Sequence, residues 1–135
     1  LGRKNGRGFH FYKSGHKTGV DGSVFRLLGV KPATDVDPER VRDRLVFAML
    51  NEAAAAMSEG VVRTPRDADI GAIYGIGYPP FRGGPLRTLD AIGAGEAVAV
   101  LERLAQLHGP RFTPTPVLLE MARVGGHWYP PGGGR

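Results

Sequence analysis

Glycine and proline divide this chain before any hydrophobic pattern is read. Of 135 residues, 21 are Gly and 11 are Pro, and beyond residue 36 they stand where helices begin or end. Proline suits the first helical position, where its missing N–H would be unpaired in any case, and glycine closes a helix by turning left-handed. Asp37-Pro38-Glu39 opens one such segment and Gly60 ends it, a helix of about 22 residues with Asp37 as cap. Its apolar positions Val41, Leu45, Ala48, Met49, Ala53, Ala56 and Met57 fall at helical spacing, and the Ala53–Ala56 run leaves room for a close partner helix.

The same punctuation recurs four times. Thr64 caps a second helix with Pro65 at its first position; it carries Ala68, Ile70, Ile73 and Tyr74 and stops before Gly75, Gly77, Pro79 and Pro80. A third helix spans Pro85 to Ile92, closed by Gly93. A fourth runs from Gly95 or Glu96 to His108, with Val98, Leu101, Leu104 and Leu107 expected on its buried face. After the loop RFTPTP a fifth covers Val117 to Val124 and stops at Gly125-Gly126, and His127, Trp128 and Tyr129 form an aromatic end. Five helices joined by short connections predict an all-α domain over residues 35–130, with 131–135 as a flexible tail.

Residues 1–34 read differently. They form a Gly-rich basic lead-in in which Phe9, Phe11 and Tyr12 suit a short strand or hairpin, with Asn5-Gly6 and Ser14-Gly15 as turns, and Asp21 to Leu28 suit one helical turn. Seven bases and one acid fall in this lead-in, while the remainder holds eleven bases and twelve acids. The formal net charge of +5 therefore belongs to the lead-in and not to a fixed surface. Nucleic-acid binding, which needs several cations placed on one face, is not expected. No apolar run approaches the roughly 18 residues of a membrane span. The chain begins at Leu1 without a signal or transit pattern and reads as a piece of something longer, and the lack of Cys fits a cytoplasmic location.

Chemistry is sparse. Without Cys there is no thiolate nucleophile, and His10, His16, His108 and His127 show no metal-ligand spacing, so neither a metal nor a catalytic residue is expected. Ser14, Ser23 and Ser58 sit in no nucleophile elbow. Gly2, Gly6 and Gly8 lack the strand-to-helix context of a dinucleotide site. The carboxylate pairs Asp35/Asp37 and Asp67/Asp69 stand at helix starts, where capping accounts for them. What stands out is YGIGYPPFRGG, residues 74–84, which is dense in Gly and Pro yet holds Tyr74, Tyr78, Phe81 and Arg82. Aromatics can line an apolar groove there and Arg82 can meet a phosphate or carboxylate; the bland alternative is a loop that completes the core.

That loop, with the flanking segment Asn51 to Gly93 and the downstream HGPRFTPTPVLLEMARVGGHWYP, resembles the C-terminal part of the multifunctional fatty-acid β-oxidation enzymes. These join enoyl-CoA hydratase to 3-hydroxyacyl-CoA dehydrogenase in the α subunit of the bacterial oxidation complex. Upstream, LGRKNGRGFHFYK is similar to the stretch after that dehydrogenase's first helical copy. The resemblance implies a 6-phosphogluconate-dehydrogenase C-terminal-like all-α domain, the second of two copies. The weak echo of Gly6–Tyr12 in Gly125–Tyr129 agrees with a duplication. It also implies that the family's catalytic histidine and glutamate and its NAD-binding turn lie outside this chain, so that NAD is a cofactor of the parent enzyme alone. The first copy's Asn-Arg-Leu motif reads Asp43-Arg44-Leu45 here, with the asparagine replaced. Tyr74 matches the loop tyrosine that the family assigns to acyl-CoA contact; Tyr78, Phe81 and Arg82 follow as further loop contacts. The implied partners are acyl-CoA, the rest of the α subunit and, as a further candidate, a thiolase β subunit. The alternative is a stand-alone helical interaction module that docks other chains through an exposed apolar face.

Overall fold

The computed structural model describes residues 2–130, so the expected tail at 131–135 lies outside the described residues. The chain divides between Asp37 and Pro38 into two compact units, each of which follows from its own local chemistry.

The first unit is a hairpin with one helical turn. β1 (His10–Lys13) pairs antiparallel with β2 (His16–Val20), with His10 opposite Val20, Lys13 opposite His16 and an irregularity between Phe11 and Tyr12. The turn falls at Ser14-Gly15, as its sequence predicts, and both residues adopt positive φ, 49° and 79°. Those angles are those of the mirror-image turn whose twist matches a hairpin. A helix of five residues follows, α1 (Ser23–Leu27). Phe9 and Phe11 stay exposed, so apolar burial does not hold this unit together. Its centre is Asp21, which accepts the Arg7 Nε–H at 2.9 Å, the Ser23 hydroxyl at 2.7 Å and the Ser23 N–H at 3.0 Å. Nothing in the sequence periodicity signals that role for Asp21.

The second unit is all α. α2 (Pro38–Ser58), α3 (Pro65–Ile76), α4 (Pro85–Ile92), α5 (Ala94–His108) and α6 (Pro116–Val124) start and stop within a residue or two of where their Pro and Gly signals place them. Thr64 caps α3 as expected: its hydroxyl oxygen accepts the Asp67 N–H at 3.1 Å. The core gathers Phe47, Leu50 and Ala54 of α2, Leu86 and Leu89 of α4, Ala97, Val100, Leu101 and Leu104 of α5, Phe112, and Leu118 of α6. Each fully buried Leu contributes roughly 1.5–3 kcal/mol.

Two helix faces differ from expectation. On α2 the buried residues are Phe47, Leu50, Asn51 and Ala54, while Val41, Leu45 and Met49 of the expected stripe are exposed. The helix is apolar on more than one side, so spacing alone does not choose the side that meets the core. On α5, Ala97, Val100, Leu101 and Leu104 turn inward and Leu107 is exposed. Leu101 and Leu104 are thus buried as expected, while Ala97 and Val100 complete an i, i+3, i+4, i+7 stripe in place of the half-buried Val98 and the exposed Leu107.

Polar clamps fasten the connections. Asn51 donates its Nδ2–H to the Thr113 carbonyl at 2.8 Å and accepts the Thr115 N–H at 3.0 Å, which ties the RFTPTP segment to α2. Asp90 accepts the backbone N–H groups of Trp128 and Tyr129 at 2.8 and 2.9 Å, which anchors the aromatic end. The stretches Gly6–Tyr12 and Gly125–Tyr129, similar in sequence, do not share a conformation: the first enters β1, whereas the second is irregular chain after α6.

Candidate functional site

The segment between α3 and α4 is built around a buried carboxylate. Asp69 lies on α3 but serves α4: its oxygens accept the Leu86 N–H at 2.7 Å and the Arg87 N–H at 3.2 Å, two donors that a helix start leaves unpaired. The Tyr129 hydroxyl donates to the same carboxylate at 2.6 Å, and the Arg87 guanidinium carbon lies 3.7 Å from the centre of the Tyr129 ring. Burial first, then the hydrogen bond to Asp69 and that carboxylate's charge, pushes the Tyr129 phenol above its ordinary pKa. Gly84 has φ 110°, and a Cβ there would collide with the Asp69 side chain. The second glycine of the PPFRGG sequence is thus required by close approach.

Around this anchor the loop sorts its side chains into two groups. Tyr78 is buried, donates its hydroxyl to Thr88 Oγ1 at 2.7 Å, and Thr88 in turn donates to the Gly84 carbonyl at 2.8 Å. Its phenol serves the interior. Tyr74 and Phe81 stand in solvent at 86% and 85% exposure. A core position for Tyr74 at the end of its helix is therefore not what the structure has. Arg82 lies over the Phe81 ring, 6.0 Å from its centroid, and forms no ion pair among the described residues.

Tyr78, Phe81 and Arg82 meet α2 across a groove of 490 Å³ whose opposite wall is Arg42, Asp43, Val46 and Phe47. Tyr74 lies outside that lining, although Ile76 from the same helix belongs to it. Arg42 and Asp43 form an ion pair at 3.1 Å, and the hydrogen bond to Asp43 holds the guanidinium above its ordinary pKa. The groove thus sets an apolar floor beside one paired and one unpaired cation, an arrangement for binding an anion that carries an apolar part.

It holds no nucleophile with a base. Among the described residues, no three His, Asp or Glu side chains gather as a metal site. His127 sits 3.8 Å from Asp90, but both oxygens of that carboxylate already accept backbone N–H groups. The only sheet among the described residues is the antiparallel hairpin. The parallel strand–helix–strand unit that cradles a dinucleotide is missing from them, so their residues do not fit NAD. Among the described residues, no helix is long and apolar enough to cross a membrane.

Comparison with known proteins agrees with this architecture. The family described as 3-hydroxyacyl-CoA dehydrogenase, C-terminal domain, matches residues 41–128, from the first turn of α2 to the aromatic end. Among solved structures, the crystal structure of M. tuberculosis FadB2 is similar with a TM-score of 0.54 and 26% sequence identity. The similarity covers 61% of this chain and 28% of that one, so this chain corresponds to about a quarter of the FadB2 length. With α3 to α6, the connecting loop and most of α2 inside the matched span, the protein belongs to the 3-hydroxyacyl-CoA dehydrogenase C-terminal domain family.

Proposed function

We propose that this chain is a non-catalytic helical part of a fatty-acid β-oxidation enzyme that joins 3-hydroxyacyl-CoA dehydrogenase to enoyl-CoA hydratase. In that enzyme it braces the catalytic domains, takes part in domain or subunit packing and presents Tyr74, with Phe81 and Arg82, to acyl-CoA. Family membership carries this reading. It is supported by two large aromatic residues left in solvent on either side of a rigidly anchored loop. An aromatic ring held out by a fixed scaffold suits recognition, because little ordering entropy remains to be lost on binding. NAD, the proton-abstracting histidine and the hydride transfer belong in this proposal to the parent's other domains. A cytoplasmic setting and a thiolase β subunit as partner are parts of the same proposal.

The chain should show no turnover with NADH and acetoacetyl-CoA, or with NAD and 3-hydroxybutyryl-CoA. It should bind palmitoyl-CoA, and Tyr74→Ala or Phe81→Ala should each weaken that binding by about tenfold, the scale of losing one buried aromatic contact. Appreciable turnover, or binding unchanged in both variants, contradicts the proposal.

A second reading, a helical interaction module, draws on the exposed Val41, Leu45 and Met49 of α2. It predicts self-association in sedimentation that Leu45→Ser abolishes.

A further inference from the structure

On the far side of α2 from the loop groove lies a second and larger concavity of 710 Å³, lined by Val41, Arg44, Leu45, Ala48, Glu52, Arg111 and Phe112. Its floor is the part of α2 that the core leaves exposed. Arg44 stands on one side and Arg111, on the turn Pro110–Phe112 after α5, on the other. Neither forms an ion pair among the described residues. Arg40 precedes Arg44 by one helical turn, a like-charge spacing that disfavours a helix unless an anion relieves it. The one carboxylate of the lining, Glu52, is eight residues along α2 from Arg44, roughly 12 Å away at a helical rise.

His108 reports on the same place. Its ring packs edge-on to Phe112 at 6.1 Å between centroids. Burial, and then the charges of Arg44 and Arg40, hold its imidazole below the ordinary histidine pKa. Arg44 and Arg111 therefore line one apolar groove, and Arg40 and His108 lie near enough to share its field, in a unit whose other residues hold eight bases against ten acids.

We propose that this groove binds a phosphate-bearing ligand. Its phosphate oxygens lie between Arg44 and Arg111, and an apolar portion lies along Val41, Leu45 and Ala48. Planar guanidinium groups from two elements suit the several oxygens of a phosphate better than a single carboxylate would use. The exposed aliphatic floor then gains a cover that a bare inorganic ion would not supply. This site is separate from the loop of residues 74–84 and does not depend on acyl-CoA binding there.

The test follows the His108 imidazole by proton NMR in the full chain as inorganic pyrophosphate is added. A bound anion opposes the arginine charges, so the His108 pKa should rise by roughly half a unit, while His10 and His16 of the basic lead-in serve as controls for nonspecific binding. In an Arg44→Ala/Arg111→Ala variant the rise should vanish and the apparent Kd should increase about tenfold or more. Vesicles of phosphatidylcholine with and without phosphatidylglycerol distinguish the phosphate source. Binding that needs the anionic lipid and is lost in the variant assigns the site to a lipid headgroup, whereas a pyrophosphate response without vesicle binding assigns it to a soluble phosphate. No His108 response to pyrophosphate, or the same response in the variant, overturns the proposal. Because both arginines are exposed surface residues, the variant keeps its core, and a native amide spectrum confirms that.

Discussion

A single carboxylate at position 69 satisfies two backbone donors of α4 and the phenol of Tyr129 together. Asp69→Ala leaves buried donors without partners, so urea unfolding should show a loss of about 2–4 kcal/mol with an unchanged slope. Gly84→Ala should cost about 2 kcal/mol or more, because the added Cβ meets Asp69 and the backbone at φ 110° is strained for alanine. Asp21 governs the hairpin unit in a pH-dependent way. Its carboxyl is held below the usual carboxylate pKa, by the Ser23 hydroxyl first and by Arg7 among the smaller causes. The stabilisation is present above about pH 4, where the unfolded carboxylate is ionised, and is lost as pH falls through the lower folded value. Amide shifts of Ser23 followed from pH 6 to pH 2 should show that transition, and Asp21→Asn should remove it. None of these three roles was legible in the sequence. A carboxylate that caps its own helix and one that caps another look the same in one dimension, and Asp69 beside Asp67 reads as local capping until α4 is seen above it.

At the scale of elements, ends were legible and faces were not. Caps and stops are chemistry within four residues, so Thr64-Pro65, Gly93 and Gly109 placed their helices from sequence. Which side of a helix meets the core is decided by distant partners. On α2 that choice fell on Phe47, Leu50 and Ala54, with a second apolar side left over. Leu50→Ala should therefore cost about 2–5 kcal/mol, whereas Leu45→Ala should change stability by no more than about 0.5 kcal/mol, both read from thermal or urea melts. Equal costs at the two positions would mean that the stripe expected from spacing is the buried one. The loop between α3 and α4 was legible as unusual, and Phe81 and Arg82 do border a groove. That Tyr78 turns inward to Thr88 depends on α4, and that Arg42 and Asp43 form the facing wall depends on α2, contacts that no local pattern encodes.

At the scale of the molecule, the described helices of the second unit pack into one apolar centre, and residues 41–128 carry the family match. The proposed role is accordingly that of a scaffold with a presented recognition loop. The loop anchored through Asp69 and Tyr78 leaves Phe81 in solvent, as α3 leaves Tyr74, and these are the rings that the proposal assigns to acyl-CoA contact. The most direct measurement is a titration of the chain with palmitoyl-CoA followed by amide chemical shifts. The account predicts perturbations concentrated on residues 74–84, with the core of α4 and α5 unmoved. A folded spectrum that stays silent over residues 74–84 at saturating ligand would contradict it.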